Sequence, residues 1–263
     1  MGENRTYKNF KSDSAALESQ NAFWASLNPP QAFGNRTQQS RTSIAMCSRY
    51  CLTTPTEALK KRLHPWLKAG PESAWLRHYA PRDLIRPGEP VLALRQEHGQ
   101  DNLSHMLWGL LPGWVKDPAK GPRPFNARSE TLEQKASFRG PWRHQRCLLP
   151  CDGFLEKGRR IQRHDRQTFW LAGLWDRWIG PDGSEVETCC VITTEPNALI
   201  APLHDRMPVI MPSGLEEAWL QPGDGQHRRA LEPMLQPWDP QDWCCSPMAG
   251  QSKKTTNEQL RLL

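Results

Sequence analysis

Hydrophobic residues recur at two different spacings along the chain, and the longer spacing comes first. Leu59, Leu63 and Leu67 lie four positions apart and follow Thr54-Pro55-Thr56-Glu57. Those four residues fit a capping box with proline at the first helical position. The pattern predicts a helix that ends by Gly70.

After this helix the apolar runs become short and are bounded by glycine, proline and aspartate, which is typical of strands. The predicted strands span residues 91–94, 103–110, 146–149, 167–174 and 186–193. Helical patterns interrupt them at residues 130–138, 215–220 and 227–235. This mixture, without an internal repeat, predicts a single α+β domain built on a curved antiparallel sheet or a distorted β-barrel with short flanking helices.

The N-terminal stretch differs from the rest of the chain. It is rich in asparagine, glutamine and serine, contains Pro29-Pro30, and shows no sustained periodicity. We expect residues 1–46 to be a disordered extension or the result of a mis-assigned start, and we place the domain at residues 47–263.

Charge and aromatic content add a weak indication of a partner. The chain has 34 basic and 28 acidic residues, for a net charge of +6. A polyanion such as nucleic acid fits this excess, and so does a solvated basic surface. The 12 tryptophans suit either a core or the stacking of bases.

Cysteine spacing and the lack of targeting segments indicate a reducing compartment. None of the eight cysteines forms a C-x-x-C pair, no secretory signal precedes the domain, and no apolar run is long enough to span a bilayer. We therefore expect a cytoplasmic protein, nucleoid-associated if bacterial, without a membrane partner, metal or cofactor. A structural zinc site is the alternative for the cysteines.

One cysteine stands where it can become a new N-terminus. Cys47 follows Met46 and the polar stretch, and it comes just before the first predicted helix. A cysteine with a free α-amine carries two nucleophiles that attack one aldehyde in turn, amine first and thiol second, to close a thiazolidine ring. An internal cysteine has an unreactive amide in place of that amine.

Three further polar segments follow. They are residues 124–131 with Asn126 and Arg128, residues 146–156 with Glu156 at the end of an apolar run, and residues 202–210 with His204 and Arg206. In this order, the four segments resemble the SRAP family, the SOS-response-associated peptidase proteins that cross-link to abasic sites in DNA. Residues 108–114, 172–175 and 192–194 support the resemblance, which runs from Met46 nearly to the C-terminus.

The resemblance implies a function and a set of site residues. It implies an SRAP-like fold and an abasic-site sensor that cross-links to single-stranded DNA in the DNA damage response, and we expect a monomer. The implied catalytic residues are Cys47, Asn126, Glu156 and His204. The implied DNA-binding residues are Arg49, Trp108, Arg128 and Arg206.

Three features depart from the family's pattern. A stretch of 46 residues precedes Cys47, so the amine must be released by initiation at Met46 or by cleavage, which this active site itself is able to assist. His78-Tyr79-Ala80-Pro81 stands where Asn-Val-Ala-Pro is more usual. Leu155 and Lys157 flank Glu156, where aromatic residues are usual.

The chemistry of these residue types suits the reaction independently of the resemblance. Histidine exchanges protons near neutral pH, so His204 suits the opening of the sugar ring. A free α-amine on Cys47 is partly unprotonated at neutral pH and can form a Schiff base. Glu156 suits the proton transfer that accompanies loss of water, Asn126 suits positioning, and the Cys47 thiol closes the ring.

Each of these residues also has a structural alternative. Asn126 is able to cap a helix, Glu156 to form a solvated pair with Lys157, and His204 to lie satisfied in the core. Arg128 and Arg206 suit internal ion pairs, and Trp108 suits the core. Two other functions stay open: a cysteine peptidase with Cys47 as nucleophile and His204 as base, and a single-strand binding module without chemistry.

Overall fold

The computed structural model of the chain describes residues 48–66 and 78–248. Its strands are β1 Tyr50–Leu52, β2 Arg82–Ile85, β3 Pro90–Glu97, β4 Gln100–Trp108, β5 Asn126–Arg128, β6 Arg146–Cys151, β7 Gly153–Glu156, β8 Arg159–Arg163, β9 Phe169–Ile179, β10 Glu185–Thr194, β11 Met207–Pro208 and β12 Trp243–Pro247. Its α-helices are α1 Thr56–Leu63, α2 Ala136–His144, α3 Glu216–Leu220 and α4 Gly225–Leu231. Short 3₁₀ turns span His64–Trp66, Ser129–Thr131 and Glu232–Leu235.

Five strands close into a barrel. They pair in the order β10, β4, β3, β6 and β9, and β9 also pairs with β10, so the ring has no free edge. Most pairings are antiparallel, but β10 runs parallel to both β4 and β5. This architecture confirms the predicted α+β fold and the distorted barrel.

A second sheet carries the start of the domain. Its strands pair in the order β12, β8, β7, β1 and β2. In this sheet Tyr50 of β1 lies opposite Phe154 of β7, and Cys51 opposite Gly153. The Tyr50 ring also packs edge-on against Trp108 of β4, with ring centroids 5.3 Å apart, so the second sheet is tied to the barrel through the core.

The five predicted strands are confirmed, and each apolar run lies within or overlaps an observed strand of the barrel. Leu59 and Leu63 are buried on α1, as their spacing predicts. The prediction for residues 130–138 is only partly right, because a 3₁₀ turn occupies Ser129–Thr131 and the helix begins at Ala136. Some expectations concern residues outside the described ranges. They are those for residues 1–46, for Cys47, for Leu67 and for the helix end by Gly70.

The predicted capping box at the start of α1 is wrong. Pro55 occupies the N-cap position of α1, and no side chain forms a capping hydrogen bond there. The Thr54 hydroxyl instead contacts the buried Asp152 carboxylate at 2.9 Å, and the Thr53 and Thr54 amides donate to Asp152 Oδ2 at 2.6 and 2.7 Å. The threonines therefore fix the β1–α1 connection to the β6–β7 connection and do not cap the start of α1.

Candidate active site

Glu156 is buried beside the strand that leads back to Cys47. Its side chain is 3% exposed at the end of β7. The neighbouring Leu155 amide donates to the Arg49 carbonyl at 3.0 Å, which extends the β1–β7 pairing toward the N-terminus. Cys47 itself lies outside the described residues, but it is joined to Ser48, the first described residue. The alternative in which Glu156 forms a solvated surface pair is wrong, because the carboxyl group is buried.

Trp108 joins the first two site segments from inside the core. It is 1% exposed, and its Nε1–H donates to the Phe125 carbonyl at 2.8 Å. Its ring contacts Tyr50 on one side and Phe125 on another, with centroids 5.3 and 6.3 Å away. The expectation that Trp108 lines a DNA-binding surface is therefore corrected: it holds β1 and the segment before Asn126 together and has no face open to a base.

Asn126 begins β5, which lies parallel to β10 with Asn126 opposite Val191. Its Oδ1 atom is buried. It does not cap the following 3₁₀ turn, because Arg128 occupies that cap position. The sheet therefore fixes Asn126, as a positioning role requires.

Arg128, two residues further along β5, is exposed and has no ion pair with any described residue. The guanidinium is therefore available to an anion in solvent. Arg49 is half-buried and directly precedes β1. Its backbone carbonyl accepts the hydrogen bond from the Leu155 amide. Their predicted contacts with DNA stay predictions.

His204 is 9% exposed and held at Nδ1 by two neighbours. Nδ1 accepts the Arg206 backbone N–H at 3.1 Å and lies 2.8 Å from Asp205 Oδ1. The first contact suits a neutral ring with its proton on Nε2, and the second suits a ring with its proton on Nδ1. Nδ1 thus has a partner both as an acceptor and as a donor.

Arg206 is 8% exposed and forms a two-pronged ion pair with Glu130. Nη1 and Nη2 donate to the two carboxylate oxygens at 2.6 and 2.8 Å, and Nη2 also donates to the Thr193 carbonyl at 2.6 Å. This is the internal ion pair that stood as the alternative to a DNA contact. The ion pair joins residues 124–131, which contain Asn126, to residues 202–210, which contain His204. The hydrogen bond to the Thr193 carbonyl adds β10 to this connection.

Buried cysteines surround the core without offering a second nucleophile. Cys51, Cys147, Cys151, Cys189 and Cys190 are buried free thiols. Burial raises the pKa of Cys51 and Cys190 to about 12 and raises the pKa of the other three thiols well above the usual range. Such thiols stay protonated and are poor nucleophiles or metal ligands.

Within the described ranges, His, Cys, Asp and Glu side chains nowhere gather in a group of three or more able to hold a metal ion. In the same part of the chain, helices are too short or too polar to cross a bilayer.

Sequence reasoning missed three residues that organise the site. Tyr50 links β1 to Trp108, Glu130 fixes Arg206, and Asp152 fixes the threonines after β1. A signal existed for Asp152, since it is a lone carboxylate within the otherwise apolar stretch from Leu148 to Phe154. Glu130 had no comparable signal, because its partner lies far away in sequence.

Comparison with known proteins supports one family. The family described as SOS response associated peptidase (SRAP) matches residues 46–253. The chain is similar to the abasic site processing protein YoqW of Bacillus subtilis (strain 168), with 38% identity over 173 residues that cover 62% of this chain and 77% of that protein. It is also similar to the abasic site processing protein HMCES of Gallus gallus, with 30% identity over 201 residues and 60% of each chain covered.

Solved structures share the fold. A crystal structure of a protein from Bacteroides thetaiotaomicron matches with a TM-score of 0.66 and 25% identity, over 76% of this chain and 90% of that one. A crystal structure from Bordetella bronchiseptica matches with a TM-score of 0.62 and 23% identity, over 76% and 99% of the two chains.

Proposed function

The chain belongs to the SRAP family, and from that premise we propose that it captures abasic sites in single-stranded DNA through the α-amine and thiol of Cys47. The names of its relatives as abasic site processing proteins support the substrate. The captured site is protected from strand cleavage during the DNA damage response.

The burial of Glu156 is the observation that carries the proposal. A general acid-base residue works best when water is excluded and its position is fixed. Glu156 meets both conditions at the end of β7, and the adjacent backbone contact between Leu155 and Arg49 holds the strand that leads to Cys47.

The proposed reaction uses Cys47 twice and His204 and Glu156 once each, while Asn126 positions the reacting groups. His204 transfers a proton to the ring oxygen of the abasic sugar, the bond from that oxygen to C1′ breaks, and the C1′ hydroxyl gives its proton to solvent, which frees the C1′ aldehyde. The Cys47 amine adds to that carbon, and Glu156 transfers the proton with which the carbinolamine loses water to give the imine. The Cys47 thiol then adds to the imine carbon and gives its proton to the nitrogen, which closes the thiazolidine. The net change is the release of one water, and no cofactor is needed.

Reversible binding to DNA depends on cations at the surface. Arg128 is exposed and without an ion pair in the described ranges, so a backbone phosphate is a suitable partner. Contacts of this kind make affinity strongly dependent on salt and nearly independent of sequence. The chain therefore recognises an aldehyde and a backbone rather than base edges.

The amine of Cys47 must be free for this reaction. The family match begins at Met46, which supports initiation at that residue followed by removal of the methionine. Self-cleavage between Met46 and Cys47 is the alternative route to the same N-terminus.

The direct test is incubation with a single-stranded oligonucleotide that carries one abasic site, followed by denaturing electrophoresis. A protein that begins at Cys47 is expected to give a heat-stable shifted band, and Cys47→Ser is expected to give none. Cys245→Ser, which alters a half-buried thiol on β12, is the matched control and should cross-link like the parent. A band that survives Cys47→Ser contradicts the proposal.

A peptidase is the second candidate, because the family's description names that activity. It uses Cys47 as nucleophile and His204 as base. The two functions separate on substrate: a peptidase cleaves peptides with Cys47 intact, whereas DNA capture forms a stable adduct and releases no peptide. If neither is seen while Cys47→Ser still binds DNA reversibly, the chain is a binding module.

A further inference from the structure

The hairpin between β7 and β8 places two cations beside Glu156. Glu156 lies directly opposite Arg159 in the antiparallel pair, and only Lys157 and Gly158 lie between them. Lys157 has φ of 44° and Gly158 has φ of 75°, as a two-residue hairpin turn of type I′ requires. The tip of the hairpin is therefore a defined structure rather than an irregular loop.

Arg159 shares a face of the sheet with the buried carboxyl group. Residues directly opposite each other in an antiparallel pair project to the same side, so Arg159 and Glu156 project together. Arg159 is nevertheless exposed, while Glu156 is buried. Arg159 thus forms part of the rim above Glu156.

Neither cation of the tip has a carboxylate partner within the described ranges. Some other arginines of the molecule form ion pairs: Arg163 contacts Asp165 at 2.7 Å, and Arg206 contacts Glu130 at 2.6 Å. Lys157 and Arg159 are both exposed and add two positive charges next to a buried acid.

Lysine is also an unfavourable residue for its position. A side chain at positive φ is strained unless it is glycine or, to a lesser degree, asparagine or aspartate. Lys157 occupies such a position in the turn, where asparagine is the common choice. A strained residue at the edge of a site points to a use for its side chain.

We infer that Lys157 and Arg159 form a phosphate-binding rim for the DNA strand that presents its abasic sugar to Glu156. The inference rests on the proposed function and adds a specific contact surface to it. A sugar in contact with Glu156 has a phosphate on either side, and the two cations lie one and three residues after Glu156 along a tight turn. Arginine donates two hydrogen bonds to a phosphate, and lysine acts as a point charge.

The experiment measures reversible binding of undamaged single-stranded DNA across a series of salt concentrations, so it does not depend on cross-linking. Lys157→Asn and Arg159→Gln are each expected to lower the slope of log K against log salt by about 0.7, the value for one phosphate contact on a single strand. Lys157→Asn should leave the melting temperature unchanged or raise it, because asparagine suits the turn better.

Arg166→Asn is the matched control. Arg166 is exposed, has φ of 59°, and lies beyond the opposite end of β8 from the tip, so the control removes the same charge from the same kind of backbone position. It should leave the slope unchanged. Equal effects of all three variants, or no effect of Lys157→Asn and Arg159→Gln in folded protein, overturn the inference.

The outcomes separate this inference from the proposed function. If the parent fails to cross-link abasic DNA but the two tip variants lower the slope, the rim stands and the chemistry is wrong. If the parent cross-links and the tip variants bind DNA with the parent slope, the chemistry stands and the rim is wrong.

Discussion

The carboxylate of Glu130 and the guanidinium of Arg206 face each other through two hydrogen bonds of 2.6 and 2.8 Å. The hydrogen bond from Arg206 lowers the pKa of Glu130 below its usual range. Glu130 is 45% exposed whereas Arg206 is 9% exposed at the side chain, so solvent weakens the pair without removing it. The ion pair gives Arg206 a role in stabilising the fold, whereas Arg128 is exposed and has no ion pair in the described ranges.

Arg206→Ala is expected to lower the free energy of unfolding by about 1–3 kcal/mol, because the Thr193 carbonyl and Glu130 lose their donor. Arg128→Ala should change the stability by less than about 0.5 kcal/mol and weaken DNA binding instead. Urea unfolding and DNA titration of both variants check this. Equal losses of stability contradict the distinction drawn from the structure.

Glu156→Gln is expected to slow formation of the DNA adduct by ~10²–10⁴-fold while reversible binding to undamaged DNA changes little. Glutamine keeps the size of the side chain but transfers no proton. Single-turnover rates on abasic DNA, measured beside affinities for undamaged DNA, separate the two effects. If the Gln variant forms the adduct at the rate of the parent, Glu156 is not part of the mechanism.

His204→Ala is expected to slow both the formation and the reversal of the adduct, since both pass through the same proton transfers. Asp205→Asn serves as the comparison, because it keeps the ring and changes only the partner 2.8 Å from Nδ1. We expect Asp205→Asn to lower the rate less than His204→Ala does, because the ring and its contact with the Arg206 amide remain. Identical rates for His204→Ala and the parent, in both directions, rule out the assignment.

Acid should destabilise the fold through His105. Burial, with repulsion from His78 and Arg82, lowers the pKa of His105 from 6.5 to about 4. In the unfolded chain His105 takes up a proton as the pH falls below about 6.5, whereas the folded protein takes it up only near pH 4. Stability from this group is therefore complete above pH 6.5 and is lost as the pH falls toward 4.

His105→Asn should remove that part of the pH dependence. Urea unfolding at pH 7.5 and 4.5 is expected to show a smaller loss in the variant than in the parent. Tyr50 and Tyr79 line the same cavity as His105, and they carry no charge at either pH, because burial raises the pKa of both. An equal loss in parent and variant assigns the acid sensitivity to other groups.

The start of the chain sets a further expectation. Protein produced from Met46 should lose that residue, begin at Cys47 by intact mass, and cross-link abasic DNA. Protein that retains residues 1–46 should be inactive until cleaved, because the nitrogen of Cys47 is then an amide. Cross-linking by molecules that all keep residues 1–46 shows that the thiazolidine mechanism is wrong.

Sequence patterns predicted the barrel because strands such as β6 and β10 are buried on both faces. All six residues of β6 are buried, as are nine of the ten residues of β10. They did not predict β8, where Ile161 stands among arginines and glutamine and the strand depends on pairing with β7 and β12. The three-residue strand β5 was missed for a similar reason, since it exists only by its alignment with β10.

Side-chain roles were harder to predict than strands. The four site segments were found from their residue types, but a burial of 1% for Trp108 depends on Tyr50 and Phe125, which come from other parts of the chain. Thr54 likewise matched a helix cap by its position, and the carboxylate of Asp152 competed successfully for its hydroxyl. Local sequence indicates which interactions a side chain is able to form, and residues distant in sequence determine which of these it forms.

The position of β10 in the ring has a consequence for how the chain folds. This strand pairs with β9 through a hairpin, but its parallel partners β4 and β5 come from much earlier in the chain. Pairing between distant segments slows folding, because the intervening chain must be ordered before any contact is gained. Since β10 aligns Asn126 and supplies the carbonyl that holds Arg206, we expect these two side chains to reach their places only after β10 has paired with β5.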